Sequence, residues 1–177
     1  NEIKKPFKRY QVGKVFRGER SQAGRFKEFL QFDADIVGAP SVLADAEIVA
    51  LINETLTKLG IKNFLIRVNN RKILNGLAEY AGFKEEKIGE VLRAIDKIDR
   101  DGWASVEKDL SRELKSKDSV KAIKAFVDLS ASANPLVKAR KIMEKSSAAS
   151  NGIEELERIS DYLKAFGVPE KNWKIDF

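Results

Sequence analysis

Residues 16–38 read FRGERSQAGRFKEFLQFDADIVG. From Phe26 to Ile36 the even positions are Phe26, Glu28, Leu30, Phe32, Ala34 and Ile36, with Lys27, Phe29, Gln31, Asp33 and Asp35 between them. Just upstream, Tyr10, Val12, Lys14 and Phe16 alternate in the same phase. Period-two alternation of this length predicts two antiparallel strands, each half buried. The even face is expected to pack on a core and the odd face to stay open. The connection from Gly18 to Arg25 is too long and too charged for a two-residue turn, so it reads as an extended loop.

The open face of this hairpin would carry Arg17, Glu19, Phe29, Gln31 and Asp35. A guanidinium offers a planar fork of donors to phosphate. The aromatic ring suits base stacking, the amide hydrogen-bonds, and the carboxylate matches an ammonium group. These groups would suit a nucleotide beside an amino acid. The same alternation also fits an amphipathic hairpin whose outer face is merely solvated.

Downstream of Pro40-Ser41, the spacing of Ile48, Leu51, Ile52, Leu56 and Leu59 predicts a helix that stops at Gly60. Phe64–Val68 reads as a buried strand. From Asn70 to Phe166 the pattern is helical throughout. Ile88 to Ile95, Trp103 to Leu114 and Val120 to Val127 mark three helices, and Asn134-Pro135 reads as a cap followed by proline at the first helical position. Ser146 to Gly152 reads as a small-residue linker, before a last helix on Ile153, Leu156, Ile159 and Leu163. Trp173–Phe177 alternates again as a strand. The expected fold is α+β: strand, loop, strand, helix and strand over residues 1–69, an all-helical insertion over 70–166, and a returning strand in 167–177.

Composition narrows the chemistry. The chain has 177 residues, no Cys and no His, which removes disulfides, thiolate nucleophiles, Ser-His catalysis and His or Cys metal ligands. No metal site is expected. No apolar run approaches the roughly 20 residues of a membrane span, and no secretory leader is apparent. The net charge is +6, and nine Lys and Arg against three Asp and Glu within residues 1–30 account for all of it. That concentration fits an anionic partner or a plain solvated start. Between Lys108 and Lys145 there are ten basic against five acidic residues. Within this stretch Lys117, Lys121 and Lys124 share a helix face if the helix begins that early.

The strand ending in Phe-Arg-x-Glu, the loop, and the Gly-Arg return into a Phe-x-Gln strand resemble motif 2 of class II aminoacyl-tRNA synthetases. The form with Arg17, Glu19, Gly24, Arg25, Phe29, Gln31, Asp35 and Gly38 resembles the histidyl-tRNA synthetases. The likeness extends through Asp45-Ala46-Glu47, Phe64–Asn69, Ile95–Asp99, Tyr162-Leu163 and Phe166-Gly167, essentially the whole chain. Leu30 departs from the family, many of whose members have His or Tyr there.

The resemblance implies part of an antiparallel class II sheet interrupted by a helical insertion. It implies histidine activation by ATP with Mg²⁺, then transfer to tRNA(His). Arg17 is expected to contact the α-phosphate and the amino-acid carboxylate. Glu19 and Phe29 would hold adenine, and Arg25 would reach ATP phosphates or the tRNA acceptor end. Gln31 and Asp35 would bind L-histidine, Asp35 through its α-ammonium. Arg20, Lys121 and Lys124 are candidates for tRNA contact. The resemblance further implies a cytoplasmic homodimer, with motif 1 before Asn1 and the second histidine-binding segment, motif 3 and an anticodon-binding domain after Phe177. The chain then corresponds to an internal piece that is inactive alone. Two other readings are an inactive paralogue serving as a regulatory subunit or tRNA sensor, and a plain nucleic-acid-binding α/β module.

Overall fold

A computed structural model describes residues 3–18, 20 and 22–177. The predicted hairpin is present. Strand β1 (Phe7–Phe16) pairs antiparallel with β2 (Glu28–Val37), with Gly13 opposite Gln31, Val15 opposite Phe29 and Arg9 opposite Asp35. The ladder continues one step further, as Arg17 N–H donates to the Lys27 carbonyl at 2.9 Å. Within the loop, Gln22 and Arg25 form an isolated bridge around a tight turn at Gly24.

One expectation about this hairpin is overturned. The even face, expected in the core, is mostly exposed: Tyr10 is 74% accessible, Phe16 73% and Leu30 70%. Helix α1 (Leu43–Lys58) approaches only the end of that face near Ala34 and Ile36, with Lys8 ion-paired to Glu47 there. Among the described residues, nothing buries Tyr10, Phe16 and Leu30. Helix α1 ends as predicted, with Gly60 at φ 77°, a backbone region that costs glycine no steric penalty.

Strand β3 (Ile66–Val68) is shorter than its Phe64–Val68 signal, and strand β4 (Trp173–Ile175) shorter than Trp173–Phe177. The two pair with each other in parallel, as a sheet separate from the hairpin. Parallel strands need a long crossover, and here that crossover is the helical block. It comprises α2 (Arg71–Asn75), α3 (Leu77–Ala81), α4 (Ile88–Ile95), α5 (Ile98–Leu114), α6 (Lys117–Val127), α7 (Pro135–Ile142) and α8 (Ser147–Ala165).

Local chemistry sets the boundaries of these helices. Asn70 Oδ1 accepts from Lys72 N–H at 2.9 Å to start α2, and Ser116 Oγ accepts from Ser119 N–H at 3.2 Å to start α6. Asn134 precedes Pro135 as predicted but makes no side-chain cap bond. Helix α5 breaks at Gly102 (φ 73°, ψ 166°), so its predicted core portion resumes at Trp103.

The predicted linker at Ser146–Gly152 is instead the start of α8. Ser146 Oγ accepts from Ala149 N–H at 3.4 Å as its cap. Small residues occur there because α8 crosses α2 closely. A Cβ on Gly152 would lie 2.8 Å from Ile73 Cγ1 and 3.0 Å from its backbone nitrogen.

One contiguous buried cluster joins the block to the rest. Ile73, Leu77, Val91, Leu110, Ile123, Phe126, Ile153, Leu156 and Leu163 meet Ala46 of α1, Val68 of β3 and Ile175 of β4. Each fully buried aliphatic side chain contributes about 1.5–3 kcal/mol. Helix α8 lies against α1, α2 and α7 and is the spine of the cluster.

Candidate functional site

Antiparallel register fixes which side chains share the odd face of the hairpin. Arg9, Gln11, Gly13 and Val15 on β1 stand opposite Asp35, Asp33, Gln31 and Phe29 on β2, so all eight positions face the same way. Phe29, Gln31, Asp33 and Asp35 are half-buried, which makes this the more sheltered face of β2. Gly13 leaves open space beside Gln31, since a Cβ there would meet no atom within 4 Å.

The structure brings together three of the sequence-derived site residues directly. Arg17 Nη2 donates to Gln31 Oε1 at 2.9 Å, and the Arg17 guanidinium carbon lies 5.0 Å from the centroid of the Phe29 ring. A cation over an aromatic face at that distance is attractive. Asp35 lies further along the same strand face, four residues beyond Gln31. Arg20 is exposed in the loop. Arg25 sits at the return, where its backbone N–H donates to the Gln22 carbonyl at 3.0 Å. Glu19 lies outside the described residues.

Sequence reasoning passed over Arg9. Its Nη2 lies 2.5 Å from Asp35 Oδ2 and 3.7 Å from Asp33 Oδ2, and its Nη1 donates to Gln11 Oε1 at 3.1 Å. Asp33 therefore belongs to a charged cluster. The signal was available: Arg9 has the parity of the open face, and an antiparallel register that sets Gly13 against Gln31 also sets Arg9 against Asp35.

The basic candidates of the helical block lie on α6, packed on α3 and α5. Helix α6 does begin at Lys117, so Lys117, Lys121 and Lys124 share a face. Lys117 and Lys121 are exposed. Lys124 is engaged differently: its ammonium pairs with Asp128 and lies 5.2 Å from the Trp103 ring centroid.

On the opposite face of the hairpin, Tyr10, Phe32, Ala34 and Ile36 with Ile48 and Leu51 of α1 line an apolar cavity of about 390 Å³. Lys8, Arg9, Asp35 and Glu47 also line it. A second junction joins the strands to the helices. Arg67 of β3 pairs with Asp99 of α5 and, through Nε at 3.2 Å, with Asp176 beyond β4. The Asp99 hydrogen bond, with both carboxylates nearby, holds the guanidinium above its usual range.

An antiparallel hairpin with an Arg, an aromatic, an amide and a carboxylate along one face, followed by a helix and a helical crossover, fits the resemblance to the class II aminoacyl-tRNA synthetases. The chain belongs to the histidyl-tRNA synthetase family, whose model, described as histidyl-tRNA synthetase, matches residues 2–177. It is 44% identical over 175 residues to the histidine–tRNA ligase of Clostridium tetani, covering 97% of this chain and 39% of that protein. It is 41% identical over 181 residues to that of Wolinella succinogenes, covering 100% of this chain and 41% of that protein. The chain thus spans about two fifths of the length of these curated relatives.

Among solved structures, histidyl-tRNA synthetase from Nostoc sp. PCC 7120 superposes with a TM-score of 0.87 at 32% identity, over 100% of this chain and 41% of that one. A Bacillus halodurans protein titled an ATP phosphoribosyltransferase regulatory subunit/histidyl-tRNA synthetase superposes at 0.76 with 18% identity, over 97% of this chain and 43% of that one. At that identity the second likeness speaks for the fold alone.

Proposed function

We propose that this chain is the adenylate-forming and acceptor-facing part of a histidine–tRNA ligase. The observation that carries the reading is the contact of Arg17 with both Phe29 and Gln31 on a strand face that also carries Asp35. In the first step the histidine carboxylate attacks the α-phosphorus of Mg²⁺-bound ATP. Pyrophosphate leaves and a histidyl-adenylate forms. In the second step a ribose hydroxyl of tRNA(His) attacks the activated carbonyl and AMP leaves.

Arg17 stabilises the charge that builds on the α-phosphate and orients the attacking carboxylate. Phe29 stacks on adenine and Glu19 hydrogen-bonds it. Arg25 reaches the phosphates. Gln31 and Asp35 hold histidine, Asp35 at the α-ammonium. Residues 1–69 and 167–177, which hold both sheets, belong to the catalytic unit, and 70–166 form a helical unit whose Lys121 and Lys124, with Arg20, meet tRNA. The complete enzyme acts as a cytoplasmic homodimer. Among the described residues no helix is long and apolar enough to cross a membrane.

Histidine-dependent exchange of pyrophosphate into ATP, measured on a full-length protein carrying this segment, tests the reading. Exchange with histidine and with no other amino acid is the expected result. A protein that binds tRNA or ATP but gives no exchange would be a sensor or regulatory paralogue, and the ligase reading would fail.

A further inference from the structure

We infer that Arg9 is a positioning residue of the amino-acid subsite, holding Asp35 in the orientation that receives the substrate. The inference rests on the proposed role of Asp35 and extends it to a residue on the neighbouring strand. Three observations carry it. Arg9 is the direct cross-strand partner of Asp35, so the two side chains rise from the same point of the same face. Its Nη2 meets Asp35 Oδ2 at 2.5 Å and reaches Asp33 Oδ2 at 3.7 Å. Its Nη1 is held in turn by Gln11 Oε1 at 3.1 Å.

The guanidinium is thus fixed from two sides before it fixes the carboxylate. The Arg9 contact is to Oδ2, and a carboxylate has about four acceptor sites, so Asp35 keeps capacity for a ligand donor.

The charge count points the same way. Asp33 and Asp35 lie two residues apart on one strand face, and side by side they repel. With Arg9 between them the cluster carries one net negative charge, which one ammonium group neutralises. Removing Arg9 would leave two carboxylates facing one cation, with no cross-strand partner to choose the rotamer of Asp35. These side chains are each about two fifths exposed, at 42% for Arg9, 36% for Asp33 and 39% for Asp35, so the pairs do little for stability. Their effect is orientation, where small misplacements cost binding and rate.

The test is pyrophosphate exchange in a full-length histidine–tRNA ligase carrying this segment, with KM measured separately for histidine and ATP. Arg9→Met is expected to raise the histidine KM about tenfold and leave the ATP KM within about twofold, the scale of a displaced binding group. Arg9→Lys, which keeps the charge and much of the reach, should recover most of the loss. In an Asp35→Asn background, Arg9→Met should add nothing, because the two act as a unit. An unchanged histidine KM in Arg9→Met, an equal rise in both KM values, or full additivity with Asp35→Asn would each overturn the inference. Asp35→Ala separates the two layers of the argument. If it leaves the histidine KM unchanged, the reading of Asp35 fails and this inference with it. If it raises that KM while Arg9→Met does not, only the inference fails.

Discussion

Arg17 and Phe29 face one another at the end of the hairpin, the guanidinium carbon 5.0 Å from the ring centroid, while the same guanidinium hydrogen-bonds Gln31 at 2.9 Å. One cation therefore bridges the ring proposed for adenine and the amide proposed for histidine, at the junction where the two substrates must react. In the full-length enzyme Arg17→Ala is expected to lower histidine-dependent pyrophosphate exchange by about a hundredfold or more, the scale for losing one preorganised charge donor. Near-normal exchange would remove Arg17 from the chemistry.

Phe29 should show itself in nucleotide affinity. Stacking of a base on an aromatic side chain is worth about 1–3 kcal/mol. Phe29→Leu should therefore raise the ATP KM about tenfold or more, and Phe29→Tyr should keep most of the affinity. A histidine KM that rises equally with Phe29→Leu would point instead to a disordered strand.

The lysines of α6 separate into two kinds. Lys121 is exposed, whereas Lys124 is bound by Asp128 and Trp103. In the full-length protein Lys121→Glu should weaken tRNA binding and flatten its dependence on salt, leaving adenylate formation unaffected. Lys124→Glu should in addition lower the melting temperature, because it sets a carboxylate against Asp128 one turn on. Unchanged tRNA affinity and salt slope in Lys121→Glu would make this face merely solvated.

Glu155 on α8 accepts from Asn70 Nδ2 at 2.7 Å and from Lys72 Nζ at 2.6 Å, and these bonds hold its carboxyl below the usual carboxylate range. A carboxyl depressed in the folded state adds stability above its unfolded value, and that stability is lost as pH falls through the folded one. Glu155→Gln should therefore destabilise the chain at neutral pH by about 1–2 kcal/mol. The gap between variant and parent should narrow only as pH falls below the ordinary glutamate range and through the lowered folded-state value, where the parent carboxyl becomes neutral. Thermal melts across pH would show a constant gap if the bonds to Asn70 and Lys72 did not depend on charge.

Gly152 tests the close crossing of α8 on α2. A methyl group there would press on Ile73 side chain and backbone, at 2.8 and 3.0 Å. Overpacking of this kind costs about 1–3 kcal/mol, more than the ~1 kcal/mol alanine gains in helix propensity. Gly152→Ala should lower the melting temperature by a few degrees. A rise would mean that the two helices separate freely.

The parts of the fold that could be read from the chain are those with many repeats of one period. Leu110 of α5, Ile123 and Phe126 of α6, and Ile153, Leu156, Ile159 and Leu163 of α8 recur often enough to mark helices and are all buried. The five-residue helices α2 and α3 are too short to show a period. Ser146–Gly152 resembles a loop in composition, and only the approach of α2 explains why a helix needs small residues there.

Alternation grouped Phe29, Gln31 and Asp35 on one face, as the register does, and misjudged the other face, because periodicity separates two faces without saying which of them is covered. Arg17, Phe29 and Gln31 were legible together because they lie around one loop. Arg9 was not, since its meaning comes from a partner on the other strand and therefore from the register.

The pairing of Ile66 with Trp173 and Val68 with Ile175 joins positions more than a hundred residues apart along the chain. Each of helices α2 to α8 can form from neighbouring turns, whereas this short parallel ladder, like the crossing of α8 on α2, can form only once the intervening chain has closed on itself. The ladder is therefore expected to be among the last parts to form and the first to open. Closure entropy grows only logarithmically, by about 0.6 kcal/mol for each doubling of the enclosed length. Residues can thus be gained or lost in the connections between the helices of this span at little thermodynamic penalty, so long as the core helices keep their packing and the two strands still meet. Variation in chain length among related sequences should accumulate in that span and spare the hairpin, where a single added residue in either strand would turn Arg9, Gln31 and Asp35 to the wrong side.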